Sequence, residues 1–450
     1  MVFSSITFLF YFLPIVLICY FLVPKKLKNF VLLCSSLIFY FYGEPKYVAL
    51  ILISILITYI FGLLIEKYKD KKTSEFCLIL ALFFLLGFLI YFKYIDFLIE
   101  NINVWFKLNA DLLNVLLPIG ISFYTFQEIS YLVDVYRGQV ESQKSLIKLA
   151  TYVSLFPQLI AGPIVRYKDI AEQLDNRELS LEKFSLGTRR FILGLGKKVL
   201  IANVLGELIN IFLLVDEKTI VFYWMYAIAT MLQIYFDFSG YSDMAIGLGK
   251  IFGFEFPENF NYPYTATSIT EFWRKWHITL GSWFRDYVYI PLGGNRVSVL
   301  KHIRNIFVVW FLTGLWHGAS WNFIIWGLYF AVILVIEKKF LMKILERLPK
   351  VIRIIYTDFL VMISFIIFSG NNILENIKGL CSASSFSSQE SIYYLKSYLV
   401  VLFIGIIGSS SIMKKILKKE KIHKFVNLVE PVFLIFILFV CVRIYCRWLI

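Results

Sequence analysis

The chain has 450 residues, of which 59% are hydrophobic, 18% aromatic and 17% charged, with a formal net charge of +14 and a mean hydropathy of +0.74. That balance is far more apolar than a soluble globular protein carries and excludes one. The excess of positive charge does not point to nucleic acid, because the basic residues lie in clusters between apolar runs instead of along one soluble face; membrane topology and anionic lipid headgroups account for them.

In chain order, apolar runs cover residues 8–23, 30–42, 47–65, 76–92, 221–238, 303–336, 354–368, 398–412 and 425–442. Several reach the roughly 20 residues that cross about 30 Å of hydrocarbon as helix, and open strands cannot cross lipid. The expectation is an all-α integral membrane protein with about ten to twelve crossing or partly crossing helices. The first run is long and aromatic and no small-residue cleavage site follows it, so it reads as a retained helix. Residues 25–28 (KKLK) and 66–72 (EKYKDKK) are basic, while 43–46 (GEPK) is nearly neutral. The positive-inside rule therefore puts the amino terminus outside. Residues 338–353 and 414–424 are also basic and 369–391 are polar with little net charge, so the carboxyl terminus is expected outside as well. No linker and no internal repeat divides the chain, and 1–450 reads as one polytopic membrane domain. The six cysteines, Cys19, Cys34, Cys77, Cys381, Cys441 and Cys446, lie mostly in apolar stretches and form no CxxC pair; neither a disulfide framework nor a metal site is supported.

The middle of the chain differs from its ends. Its apolar runs are broken by PIGISFYTFQ (118–127), QLIAGPIVRY (158–167), FDFSGYSDMAIGLG (236–249) and EFWRKWHITLGSWFRDYVYIPLGGNR (271–296). Lipid-facing helices tolerate few such residues, so these segments are expected to line a protein-enclosed, partly wet interior. Glu128, Asp134, Asp237 and Asp243 interrupt apolar surroundings without the spacing of a metal site or carboxylate dyad. They read as members of structural ion pairs, with Arg137 or Arg166 as candidate partners. The glycines at 240, 247 and 249 follow no strand and are not a nucleotide fingerprint.

Histidine is the side chain best suited to take a proton near neutral pH. His317 stands in FLTGLWHGASWNFIIWG (311–327), where its donor and acceptor cannot go unpaired cheaply in hydrocarbon. Read as helix, Thr313, His317 and Trp321 share one stripe, and Gly314 and Gly318 form a small-xxx-small surface. Arg296, Lys301 and Arg304 precede this run and Lys338 and Lys339 follow it. Residues 303–336 are therefore expected to enter and return, with the turn near Gly314–Gly318; a single tilted helix is the alternative. His277, in WRKWH (273–277), is the second candidate, within a stretch that also reads as an interfacial helix. His302 and His423 sit among loop lysines and arginines and read as solvated.

The segments WRKWHITLGSWFRDYVYIPLGGNR and LTGLWHGASWNFIIWG, with PIGISFYTFQEISYLVDVYRG, LFPQLIAGPIVRY and YFDFSGYSDMAIGLGKIFGF, resemble the membrane-bound O-acyltransferase family. The branch is that of the alginate O-acetyltransferases and their peptidoglycan and cellulose relatives. The motif-dense core spans about residues 118–335, followed by C-terminal helices and a tail, 352–450. The resemblance implies a multi-pass protein of a bacterial cell membrane whose helices surround a pinched central catalytic chamber. An acyl thioester, acetyl-CoA in this branch, reaches the chamber from the cytoplasm, and a polysaccharide acceptor is served from outside through an SGNH-type partner; no metal is implied. His317 falls on the family's WHG histidine and His277 on the histidine of its WRRWHI-type motif, which makes both catalytic candidates. Asn322, Trp316 and Trp321 are candidate oxyanion or orienting donors. Residues 444–448, Ile-Tyr-Cys-Arg-Trp, resemble a degraded version of a terminal aromatic phrase found in this branch or in small partners of its D-alanyl-transferring relatives. Tyr445 is thereby a candidate acyl carrier, with an interfacial aromatic anchor as the alternative. Residues 365–372, FIIFSGNN, depart from the family's Trp and Phe-Arg, which puts contacts to the acceptor or partner in question. Arg189, Arg190, Lys197 and Lys198 could attract the donor's phosphates, with positive-inside topology as the plainer account. Competing readings are D-alanyl transfer to teichoic acid and a proton-coupled transporter or flippase, for which discontinuous helices are present but an internal repeat is not.

Overall fold

The computed structural model describes residues 2–447. Among them every regular element is helical, and six helices are long and apolar enough to cross a membrane: Pro45–Lys67, Lys72–Phe106, Ile220–Ile251, Lys350–Ser369, Gln389–Gly408 and Lys424–Cys446. Thr7–Leu22 is a shorter apolar helix. The chain is thus an all-α membrane protein. Its contacts fall into two compact units, Met1–Thr188 with Ala245–Pro257, and Arg189–Met244 with Glu258–Ile450.

In the first unit, helix Ile121–Tyr136 packs against Val48–Lys67 and Lys72–Phe106. It carries the first of the polar interruptions, and nearly all of it is buried: Ser122, Thr125, Gln127, Glu128, Ser130 and Asp134 are out of solvent. Protein therefore encloses these groups, as the polar breaks require. The Glu128 carboxyl lies beside the hydroxyls of Ser54 and Thr58, and Lys168 Nζ stands 3.6 Å from Asp134. Phe3, Phe8, Phe12, Phe39 and Phe156 form an aromatic cluster that fixes the amino-terminal helix in this unit.

In the second unit, residues 303–336 do enter and return. Helix Val299–His317 ends at Gly318, whose backbone is extended, and helix Trp321–Ile336 starts after Ser320. The two run antiparallel: a Cβ on Gly314 would lie 2.4 Å from the Phe323 carbonyl oxygen, and one on Gly327 only 2.3 Å from that of Trp310. The turn lies at 318–320, just past the Gly314–Gly318 stretch. The expected stripe of Thr313, His317 and Trp321 is therefore broken, because Trp321 opens the second helix and is half exposed. Gly314 and Gly318 do serve close packing, against the Phe323 backbone and ring respectively. Both ends of such a hairpin emerge on one face. Lys301→Cys and Lys338→Cys, at exposed positions and in a background without the exposed Cys19, Cys381 and Cys446, are expected to react with an impermeant thiol reagent from the same side of the membrane. Labelling from opposite sides would rule out a re-entrant hairpin.

The far end of the hairpin holds the next element in place. Glu337 is fully buried, and its carboxylate accepts from the Ile269 N–H (2.7 Å), the Thr270 N–H (3.1 Å) and the Thr270 hydroxyl (2.9 Å). It thus caps the first turn of helix Ile269–Lys275, where backbone donors have no intrahelical acceptor. Trp273, on that helix, packs on Trp310, Trp326 and Phe330 of the hairpin at 4.6, 5.7 and 4.8 Å between ring centres. Glu337→Ala leaves buried donors unpaired and is expected to cost about 3 kcal/mol. Thermal unfolding in detergent measures this, and Glu337→Gln, which keeps an acceptor, should lie between the two.

Candidate active site

The two candidate histidines lie in the same unit, each in ring contact with one indole. His277 ring is 5.8 Å from Trp316, and His317 ring is 4.9 Å from Trp316, its chain neighbour. The charge of His317 is felt at His277. Helix Ile269–Lys275 ends at Trp276, His277 takes a left-handed backbone (φ 43°, ψ 53°), and helix Ile278–Phe284 follows. A non-glycine residue seldom adopts that conformation, although histidine is among those enriched in it. Packing supports it here: Trp276 is buried among Tyr235, Phe260, Phe272 and Phe365, and Phe238 meets the His277 ring edge-on at 4.6 Å.

The burial of the two rings differs. His277 is 2% exposed, and burial first, then the charge on His317, hold its imidazole well below the ordinary histidine pKa. Burial thus favours the neutral form of His277. Its Nδ1 lies 3.1 Å from Asn259 Oδ1, and its Nε2 has no partner among the described residues. His317 is only partly buried. It occupies the last helical position before the hairpin turn, with Trp326 (4.9 Å), Phe368 (5.1 Å) and Phe323 (6.4 Å) around it. Rings thus flank an imidazole that is only partly buried.

The remaining candidates are placed unequally. Asn322 donates through Nδ2 to the Phe368 carbonyl (2.8 Å), and so ties the start of the second hairpin helix to the end of helix Lys350–Ser369. This brings FIIFSGNN to the site, because Phe368 is the ring that flanks His317. Trp316 touches both histidine rings, whereas Trp321 is half exposed. Tyr445 is half-buried near the end of helix Glu420–Arg447, which supplies none of the ring contacts above. Trp448, the last residue of its motif, lies outside the described residues, as does the side chain of His423. His302 is in the first turn of the hairpin, partly buried near Tyr289 (6.3 Å), and not in a solvated loop.

Two residues at the site were not candidates from the sequence. Trp326 is 1% exposed, its indole N–H has no partner among the described residues, and its ring meets that of His317 edge to face. Asn259, in the loop before helix Ile269–Lys275, holds His277. Each basic residue considered for donor phosphates is matched to a carboxylate: Arg190 to Asp243 and Glu258, Lys197 to Asp243, Lys198 to Asp237 and Arg189 to Glu430. Asp237 and Asp243 thus form ion pairs as expected, but with these partners and not with Arg137 or Arg166. Among the described residues no group of three His, Cys, Asp or Glu side chains is placed to hold a metal ion.

A model of the membrane-bound O-acyltransferase family matches residues 140–375, which include both histidines and Asn259. The chain is 42% identical over 378 residues to "Probable alginate O-acetylase AlgI" of Azotobacter vinelandii, covering 83% of this chain and 76% of that protein. It is 34% identical over 426 residues to the peptidoglycan O-acetyltransferase of Helicobacter pylori, covering 86% and 81%. Similarity extends to the teichoic acid D-alanyltransferase of Bacillus subtilis, at 29% over 282 residues, covering 57% and 70%.

Proposed function

The chain belongs to the membrane-bound O-acyltransferase family, and from that premise we propose that it moves acetyl groups from a cytoplasmic thioester, acetyl-CoA, to hydroxyls of an extracytoplasmic polysaccharide of the alginate or peptidoglycan kind. The identity to the alginate and peptidoglycan enzymes supports both the acetyl group and the glycan acceptor, and the lower identity to the D-alanyltransferase weighs against D-alanine. An SGNH-type protein on the outer face would receive or direct the acetyl group, and both termini lie on that face in this reading.

The observation that carries the reading is the position of His317, a partly accessible imidazole at the break of an intramembrane hairpin, walled by Trp316, Trp326 and Phe368. Acyl transfer to a hydroxyl requires that the O–H proton be taken as oxygen attacks the thioester carbon, and that the resulting oxyanion be stabilised until the C–S bond breaks. His317 takes the proton and returns it to the departing thiolate. The indole N–H groups of Trp316 and Trp326, with Asn322, are the nearby donors for the oxyanion, and few waters compete with them in an aromatic enclosure. The test is purified protein in vesicles, with free thiol released from acetyl-CoA only when acceptor glycan or partner is present. Movement of a solute without thioester consumption would mark a transporter and overturn the proposal.

A further inference from the structure

The hydrogen bonds around Asn259 determine which nitrogen of His277 carries the proton. Asn259 is itself buried, and its own backbone carbonyl accepts from the Ile278 N–H (3.0 Å), while the Asn261 N–H donates to the Lys275 carbonyl (2.9 Å). The loop is thereby laced to the segment that bears His277. The Asn259 side-chain atom facing His277 also receives the Thr279 backbone N–H (3.4 Å) and the Thr279 hydroxyl (2.9 Å). A backbone N–H only donates, so that atom is the carboxamide oxygen. The amide nitrogen on the other side donates to Ser242 Oγ (3.0 Å). An oxygen 3.1 Å from Nδ1 requires the imidazole proton to sit on Nδ1. In the neutral ring the lone pair is then on Nε2, the buried atom with no partner among the described residues.

We infer that Asn259 is a positioning residue for acyl transfer: it locks His277 in the Nδ1–H form, so that His277 meets the reaction through Nε2 as a hydrogen-bond acceptor for an O–H donor, and not as a donor to the oxyanion. This rests on the O-acyltransferase reading above and assigns work within the same site. A buried acceptor without a donor is costly to keep, and the left-handed backbone at His277 is a second cost in the same residue. Both are borne where the Trp316–His317 pair is adjacent, and a substrate hydroxyl other than the attacking one, whose proton goes to His317, is the donor that the reaction brings. Among the described residues, His317 is the ionisable neighbour whose charge bears on His277.

Two measurements test the inference. Imidazole ¹⁵N spectra of the folded wild-type protein, assigned by substituting each of the four histidines in turn, should show His277 protonated at Nδ1 and bare at Nε2; the reverse would overturn it. In the thioester assay, Asn259→Ala frees the tautomer and should lower kcat on the order of 10- to 100-fold with little change in KM, as loss of a histidine-orienting partner does elsewhere. Asn259→Asp keeps the acceptor and so should recover much of kcat at high pH. Its carboxylate favours the charged imidazolium, so the acidic limb of the pH profile should move to higher pH. A purely structural role predicts equal loss in both variants and an unmoved limb. Should neither variant fold, the wild-type spectra still decide. A wild-type protein that consumes no thioester would sink the proposed activity and leave the tautomer measurement intact.

Discussion

His317→Ala is expected to lower turnover on the order of 10²- to 10⁴-fold, the contribution of a positioned general base. The loss should appear equally in kcat and kcat/KM, because the imidazole acts on a proton in flight and not on the bound substrate. The variant should still fold. His317 is the last residue of its helix and partly exposed, and the rings that surround it pack on one another without it: Trp326 on Phe330 at 5.3 Å and on Phe368 at 5.4 Å, Phe323 on Phe368 at 4.9 Å. Alanine is also the best helix former, so the terminus loses nothing in propensity. An unchanged melting temperature with thiol release slowed by that factor is therefore the expected pair of results. Retained turnover would remove His317 from the chemistry and take the mechanism with it. His277→Ala offers a contrast, since a ring that is 2% exposed leaves a void, and both stability and rate should suffer.

Much of this architecture could be read from the residues, and where it could not, the reason is physical. The run 354–368 became helix Lys350–Ser369 because its polar residues are few and Thr357 and Ser364 are buried inside the protein. The run 221–238 underestimated helix Ile220–Ile251, because FDFSGYSDMAIGLG continues the helix with polar groups that protein, not lipid, surrounds. Hydropathy measures compatibility with lipid and is blind to burial in protein. The return of 303–336 could be read from basic residues at both ends, yet the turn moved to 318–320, where the Phe323 ring occupies the space that a Cβ on residue 318 would fill. His277 and His317 stood out by type. Trp326 did not, since a tryptophan in an apolar helix looks like core, and only its unpaired N–H beside an imidazole says otherwise. Asn259 carried no signal, because an asparagine in a stretch such as PENFNY is what a turn also selects. The ion pairs of Asp237 and Asp243 were expected, but their partners depend on which helices adjoin, and one sequence does not carry that.

Gly327→Ala is expected to be the most damaging single methyl in the hairpin. The added Cβ would lie 2.3 Å from the Trp310 carbonyl oxygen and 3.2 Å from the Gly314 Cα. Both obstacles are backbone, so no side chain can turn away, and the helices must separate. Separation loosens Trp310 and Phe330, which pack on each other at 5.2 Å and both on Trp273. Overpacking of this kind costs about 1–3 kcal/mol, and Gly327→Val should prevent folding. Gly314→Ala meets the Phe323 carbonyl at 2.4 Å and forces the same separation. The double variant should therefore lose less than the sum of the two, because one movement relieves both clashes. His317 lies one turn beyond Gly314, so whatever protein still folds should turn over on the order of 10²-fold more slowly, the penalty for displacing a reacting group by about 1 Å. Gly87 supplies the control: in helix Lys72–Phe106 a Cβ there has nothing within 4 Å, so Gly87→Ala should be neutral or stabilise by about 0.5–1 kcal/mol. Melting curves in detergent for the glycine-to-alanine variants would separate a hairpin held by backbone contact from a loose pair of helices, for which all these changes would be alike.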